Sequence, residues 1–253
     1  MKLLIDIGNT RAKYAVVDFE QQEQASGTVE VFDKSLLDSL MARFEFRAAI
    51  LSSTRGSTAA EEQILREAGV STLVLSAATP LPIGIDYRTP ETLGRDRIAA
   101  AVAVAEQYPA SNCLVVDLGT ALTLDLVTAD GVFRGGAISL GYSNRLRALH
   151  EYTATLPLCA PIMGETEPLS LQGHTTCEAI EWGVFHSILF EIEGYRGRLE
   201  ANFADLRVIV TGGEAKYFEK QIKNAIFAER NLVLTGLNRI LEYNLAQNAT
   251  TEK

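Results

Sequence analysis

A chain of 253 residues, 47% of them hydrophobic, can bury one large core or two modest ones. Its formal net charge of -9 argues against a nucleic-acid partner, which calls for a basic face to neutralise phosphates, so any phosphate must be held locally by backbone amides and a few cations. No apolar run reaches membrane-spanning length, and the N-terminus passes straight into Leu3-Leu4-Ile5 without the successive regions of a leader, so a cytoplasmic protein with no membrane partner is expected. Cys113, Cys159 and Cys177 are odd in number and lack CxxC spacing, which supports neither a disulfide framework nor a zinc site.

In chain order, the run at 3–5 ends in Asp6-Ile7-Gly8-Asn9-Thr10, and 12–17 and 26–32 read as further strands. Residues 34–44 place Leu36, Leu37, Leu40 and Met41 on one helical face; 47–51 is a short apolar strand, 58–68 a helix and 72–75 a strand. Three prolines make 77–90 a loop, and 93–107 is an Ala-rich helix that starts with Gly94-Arg95-Asp96-Arg97. Then 113–117, 122–127 and 132–138 repeat the opening pattern around a second turn, Asp117-Leu118-Gly119-Thr120, and the repetition implies two related halves: residues 1–110 and 111–253. Residues 141–150 read as a helix and 155–173 as an irregular connection. The longest helix is expected at 176–199, with Ile180, Val184, Ile188, Ile192, Tyr195 and Leu199 on one stripe. A strand at 206–210 ends in Thr211-Gly212-Gly213; helices at 215–223 and 236–244 flank a last strand at 231–234, and the tail after 247 is expected to fray.

The two Asp-Gly-Thr turns carry the first chemical signal. Gly8 lets backbone approach a ligand, Asn9 and Thr10 add short donors, and Lys13 projects a cation over the same space. Asp6 makes sense beside phosphates when magnesium lies between them, held mainly through water. A ligand-free hairpin explains one such turn as well; the second copy, with Thr123 and Asp125 on its following strand, favours a phosphate grip used twice. There is no GxxxxGK[ST] loop and no GxGxxG after a strand. Asp96, between two guanidinium groups, has the chemistry of a base on an attacking hydroxyl with an arginine to hold an anionic acceptor, although a solvated helix start accounts for the same residues. Thr211-Gly212-Gly213 reads either as a plain strand-to-helix turn or as backbone lying flat on an adenosine. His150, His174 and His186 show no ligand spacing.

Taken in series, DIGNTxxK at 6–13, GRDR at 94–97, DLGT at 117–120, GGAIxxG at 135–141 and TGG at 211–213 resemble type III pantothenate kinases over nearly the whole chain. The resemblance implies an α/β fold of duplicated ribonuclease-H-like domains, as in the actin, Hsp70 and sugar kinase superfamily, with mixed central sheets and an interdomain cleft. It also implies ATP-dependent phosphorylation of pantothenate in coenzyme A biosynthesis. Carried over by position, Asp6, Gly8, Asn9, Thr10 and Lys13 form the first phosphate motif, with Asp6 serving magnesium through water. Gly119 and Thr120 belong to the second, Asp117 to a monovalent cation, potassium or ammonium, and Gly212 to the adenosine side. Asp96 becomes the catalytic base, with Tyr87, Gly94, Arg95, Arg97 and Thr176 at the pantothenate site, Thr176 reaching it from the neighbouring subunit of a homodimer. Leu140 stands where the family pattern has proline, which restores an amide donor and frees a backbone angle. A polyphosphate hydrolase and a non-catalytic nucleotide-binding regulator use the same two turns; the GRDR turn and the Tyr87 loop favour an organic acceptor.

Overall fold

The computed structural model describes residues 1–163, 170–228 and 231–251. They form two compact units, the first made of Met1–Gln107 and the C-terminal helix from Leu232, the second of Tyr108–Asn231. The junction falls close to the expected one, but the C-terminal helix belongs with the first unit and not with the second half of the chain.

The first unit is organised on β1 (Lys2–Ile7), whose six residues are all buried, as a central strand covered on both faces requires. β2 (Ala12–Val17) runs antiparallel to it, from Lys2 opposite Val17 to Ile7 opposite Ala12. β4 (Ala48–Ser53) runs parallel on the other side. With β3 (Glu23–Val29) and β5 (Thr72–Val74) the sheet order is β3-β2-β1-β4-β5. Helices α1 (Lys34–Met41) and α2 (Ala59–Glu67) contribute Leu37, Leu40 and Leu65 to a core with Leu3, Ile5, Ile7, Val16, Phe32 and Leu51. Asp33 caps α1 by accepting from the Leu36 amide at 2.9 Å. The loop at 77–90 contains one short strand, β6 (Gly84–Ile85).

Helix α3 (Arg95–Gln107) is buried continuously from Arg97 to Val104, and its alanines let α6 (Leu232–Thr251) lie close against it. At Gly236 a Cβ would come within 1.7 Å of the Ala99 carbonyl oxygen. The fully buried Lys2 ammonium pairs with Glu242 of α6. Desolvation makes such a pair costly, so it fixes where α6 docks more than it adds stability.

The second unit repeats the pattern. β7 (Cys113–Leu118) pairs antiparallel with β8 (Ala121–Thr128) and parallel with β10 (Arg207–Thr211); β9 (Val132–Leu140) and β11 (Ala225–Phe227) extend the order to β11-β10-β7-β8-β9, the counterpart of β5-β4-β1-β2-β3. Helices α4 (Tyr142–Glu151) and α5 (Thr176–Glu200) close the core. The Phe185 and Phe218 rings stack at 4.7 Å, and the Tyr142 ring stands edge-on to Phe218 at 5.2 Å. The expected α5 stripe is buried at Ile180, Val184, Ile188 and Ile192, whereas Tyr195 is exposed. The segment 173–178 builds the start of that helix: Thr175 accepts from the Glu178 amide, and the Glu178 carboxylate accepts from the Thr175 and His174 amides.

Three expectations near the C-terminus need correction. Residues 215–223 hold only a 3-10 turn, Ala215–Tyr217. The strand expected at 231–234 lies earlier, at Ala225–Phe227, and Leu232-Val233-Leu234 opens α6, which continues unbroken to Thr251 and takes in the expected frayed tail. The β-like composition of that run misleads, because Val233, Gly236, Leu237, Ile240 and Leu241 share one buried helical face, and packing on α3 decides the outcome. Part of the irregular connection at 155–173, namely 164–169, lies outside the described residues.

Replacing Gly236 by Ala should lower stability by about 1–3 kcal/mol, because the new methyl meets backbone that cannot rotate away. Urea unfolding of the variant measures it, and an unchanged midpoint would refute the close α3–α6 contact.

Candidate active site

β1 ends at a point where two neighbours diverge. Its last residues face Lys13 and Ala12 across the antiparallel hairpin and Ser52 and Ser53 across the parallel pair, so Asp6 sits between Lys13 and Ser52. The chain then reverses through 8–11, with the Gly8 amide donating to the Arg11 carbonyl at 3.0 Å. A Cβ on Gly8 would stand 3.1 Å from that same oxygen, which accounts for glycine there. Asn9 and Thr10 are exposed at the tip. The loop after β4 is laced to this turn: the Thr54 amide donates to the Ile7 carbonyl at 3.0 Å and Arg55 Nε to the Asn9 carbonyl at 3.0 Å.

Asp6 is the electrostatic centre of this unit. It is 6% exposed, and its Oδ1 and the Ser52 hydroxyl are both buried without a hydrogen-bond partner of good geometry. Burial pushes its carboxyl up to about 6, the negative charge of Asp96 adds to the rise, and Lys13 partly offsets it. A buried carboxylate with an orphaned oxygen and a second carboxylate nearby suits a hard divalent cation. Among the described residues no three His, Cys, Asp or Glu side chains gather into a metal cage.

Asp96 and Arg97 stand in the first turn of α3. The Asp96 carboxylate accepts from the Arg97 amide at 2.8 Å, and a Cβ on Gly94 would lie 2.6 Å from its Oδ1, so glycine makes room for it. Arg97 is 6% exposed, with its guanidinium 5.8 Å from the centre of the Tyr87 ring. Arg95 has a different employment. Its guanidinium donates to the carbonyls of Leu93 at 3.0 Å, Glu91 at 3.1 Å and Pro90 at 3.3 Å, tying down the segment that precedes the helix. The structure therefore gathers Asp6, Lys13, Asp96, Arg97 and Tyr87 in one unit, and separates the two arginines of GRDR by role.

In the second unit β7 ends the same way, with Asp117 opposite Thr123 on one side and Thr211 on the other. Gly119 and Thr120 form the turn. A Cβ on Gly141 would fall 1.9 Å from the Gly119 carbonyl oxygen, and the Gly141 amide donates to the Thr120 carbonyl at 3.0 Å. Gly212 adopts φ +100, and a Cβ there would lie 2.4 Å from the Leu118 oxygen and 2.5 Å from Asp117 Oδ1, so two requirements fix it as glycine. At Gly213 a Cβ would meet nothing within 4 Å, so no contact within the chain demands glycine there. Thr176 is exposed in the first turn of α5 and lines an apolar groove with Leu149, which lies at the opposite end of α4 from the 117–120 turn.

Sequence reasoning misses Ser52, Arg55, Asn144 and Glu214. Ser52 lies in β4 and Arg55 in the loop after it, neither within a motif, and only adjacency to Thr211-Gly212-Gly213 marks Glu214.

The raised Asp6 carboxyl has a consequence without nucleotide or metal. Below pH 3.8 Asp6 is protonated folded and unfolded; as pH climbs toward 6 the unfolded chain ionises first, so folding stability falls and then levels off. Asp6→Asn should be more stable than the parent at pH 7.5, by on the order of 3 kcal/mol, with the difference nearly gone near pH 3. Urea unfolding at the two pH values reads this, and equal stability at pH 7.5 would refute the desolvated carboxylate.

Comparison with known proteins identifies the family. The family model for type III pantothenate kinase matches residues 2–198. A type III pantothenate kinase of Bacteroides fragilis is 41% identical over 248 residues, covering 96% of this chain and 98% of the relative. That of Porphyromonas gingivalis strain W83 is 39% identical over 243 residues, covering 96% and 98%. Among solved structures, a protein from Campylobacter jejuni described as a Baf family transcriptional activator aligns with TM-score 0.61 at 22% identity, covering 96% of this chain and 99% of that one. One from Sinorhizobium meliloti described as a 2-dehydro-3-deoxygalactonokinase gives TM-score 0.61 at 13% identity with the same coverage. These distant likenesses speak for the fold alone, two units each built on a mixed sheet, while the more similar relatives decide the family: the chain belongs to the type III pantothenate kinases.

Proposed function

We propose that this kinase transfers the terminal phosphoryl group of ATP to the primary hydroxyl of pantothenate, giving 4'-phosphopantothenate at the start of coenzyme A biosynthesis. The observation that carries the reading is the pairing, in one unit, of a desolvated carboxylate suited to a nucleotide-bound cation, Asp6, with a second carboxylate, Asp96, set beside a buried arginine.

Each residue then has a task. Gly8, Asn9, Thr10 and Lys13 serve as one phosphate motif, through amides, hydroxyls and one cation, and Gly119 and Thr120 serve as another. Asp6 holds magnesium, which supplies charge neutralisation for the developing phosphate oxygens when bound. Asp96 takes the proton of the pantothenate hydroxyl as its oxygen bonds to the phosphorus and the bond to ADP breaks; its carboxylate is already oriented by the Arg97 amide. Arg97 and Tyr87 bind the pantothenate carboxylate end. Arg95 acts on the acceptor pocket by anchoring the 90–93 segment, and Gly94 by clearing space for Asp96.

Asp117 is assigned to a potassium or ammonium ion, and Gly212 and Gly213 to the adenosine; the absence of any packing demand for glycine at 213 supports the latter. A homodimer is supported by exposed Phe190 and Tyr195 on α5 and by the open groove beside Thr176, which would then serve the neighbouring copy's acceptor site. The cytoplasm is the proposed location, since both ATP and the coenzyme A intermediates are there.

ADP release should depend on pantothenate and on potassium, and fall sharply when sodium replaces potassium. Asp96→Asn should lose about 100- to 10,000-fold in turnover with ATP affinity retained. A coupled assay with and without pantothenate decides: ADP formed equally without it would point to a hydrolase, and ATP bound without turnover to a regulator.

A further inference from the structure

Helix α4 starts without a cap of its own: Gly141 precedes it and offers no side chain to the free amides of the first turn. The cap comes from 70 residues further along the chain. Glu214 Oε2 accepts from the Tyr142 amide at 2.8 Å, and Oε1 accepts from the Ser143 amide at 3.1 Å and from the Ser143 hydroxyl. The same residue's amide donates to the Leu118 carbonyl at 2.8 Å. Helix α4 in turn grips the 117–120 turn, since Asn144 Nδ2 donates to the Thr120 carbonyl at 2.9 Å and the Gly141 amide to the same oxygen at 3.0 Å.

These bonds close a ring. It runs from Leu118 to Glu214 through the backbone, from Glu214 to α4 through the carboxylate, from α4 to Thr120, and back along the chain to Leu118. The Gly119-Thr120 turn lies within it, and Gly212 stands two residues before its Glu214 corner, with a Cβ position 2.4 Å from the Leu118 oxygen and 2.5 Å from Asp117 Oδ1. The Tyr142 and Ser143 amides at the start of α4, which would otherwise attract an anion, are thus occupied by the Glu214 carboxylate.

We propose that Glu214 is a positioning residue for the nucleotide: it fixes the 211–214 loop relative to the 117–120 turn, so that the adenosine and phosphate contacts of the second unit hold one spacing. The proposal rests on the kinase reading only for the identity of the nucleotide. Glutamine at 214 keeps one acceptor and turns an amine toward the other amide, whereas alanine removes both, so the effects should be graded.

The test measures binding of a fluorescent ATP analogue with magnesium, without pantothenate, for the parent, Glu214→Gln, Glu214→Ala and Ser143→Ala, alongside steady-state kinetics. Glu214→Gln should weaken nucleotide binding and raise KM for ATP about tenfold, roughly the loss of one charged hydrogen bond, with KM for pantothenate within about twofold of the parent. Ser143→Ala should shift the same quantities about two- to threefold. Thermal unfolding checks that each variant is folded; should Glu214→Ala fail, the glutamine and Ser143 variants carry the test. Parent-like nucleotide affinity in folded Glu214→Gln, or equal rises in both KM values, would overturn the proposal. A parent that binds the analogue but ignores pantothenate would sink the kinase reading alone and leave the Glu214 result standing.

Discussion

Everything functional here depends on how one strand ends. In each unit the central strand has an antiparallel partner on one side and a parallel partner on the other, so the residues at its carboxyl end meet side chains from both neighbours. At that point the chain places an aspartate, Asp6 in one unit and Asp117 in the other, followed by a glycine-bearing reversal. An acidic side chain is an expensive choice for a buried strand end, and Asp6 shows the cost in its raised carboxyl. The cost makes sense in a site whose ligand arrives with a cation, because the cation turns the unfavourable group into the anchor.

The duplication does not copy the surroundings. Around Asp6 the remaining groups are chemical: Lys13, Asp96 and, beside Asp96, Arg97 against Tyr87. Around Asp117 they are largely spatial, with Gly141 and Gly212 each needed because backbone oxygens or the carboxylate come too near for a side chain. On the proposed function, the first unit would handle a proton and an anionic acceptor, and the second would let a ligand lie against bare backbone. The shared topology supplies the position, and local sequence supplies the division of labour.

Most of the fold is legible in the chain because its signals are local and redundant. The apolar runs at β1, β4 and β7 read as buried strands, and the two Asp-Gly-Thr turns reveal the repeat by residue type and spacing alone. The errors gather where tertiary packing overrules composition. Leu232-Val233-Leu234 favours a strand by residue type, but an Ala-rich α3 with Gly236 facing Ala99 offers a helix a closer fit. The membership of α6 in the first unit is likewise out of reach, since it depends on contacts such as Lys2 with Glu242, 240 residues apart. In the site, residues carrying a motif stand out, whereas Ser52, Arg55 and Glu214, which act through geometry set by other loops, leave no pattern to read. The paired arginines of GRDR show a finer limit: sequence treats Arg95 and Arg97 alike, and only the fold turns one toward backbone carbonyls and buries the other.

Leu140 illustrates how such a geometry survives the loss of its usual guarantor. Where the family pattern has a proline, the backbone angle is set by the ring itself. Here Leu140 remains in the β9 ladder opposite Ala121, with its side chain half exposed and contributing little to the core. Its carbonyl is instead held by Arg145 Nε at 2.8 Å, and the same guanidinium reaches the Ser139 and Ser187 hydroxyls at 3.0 Å each and pairs with Glu191. Ser139 donates in turn to Glu191 at 2.7 Å. A planar guanidinium with its donors engaged by β9 and α5 is a rigid brace. It stands one residue from Gly141, whose close contact with Gly119 tolerates almost no movement. In this chain the backbone before Gly141 is thus held by a hydrogen-bonded network centred on Arg145.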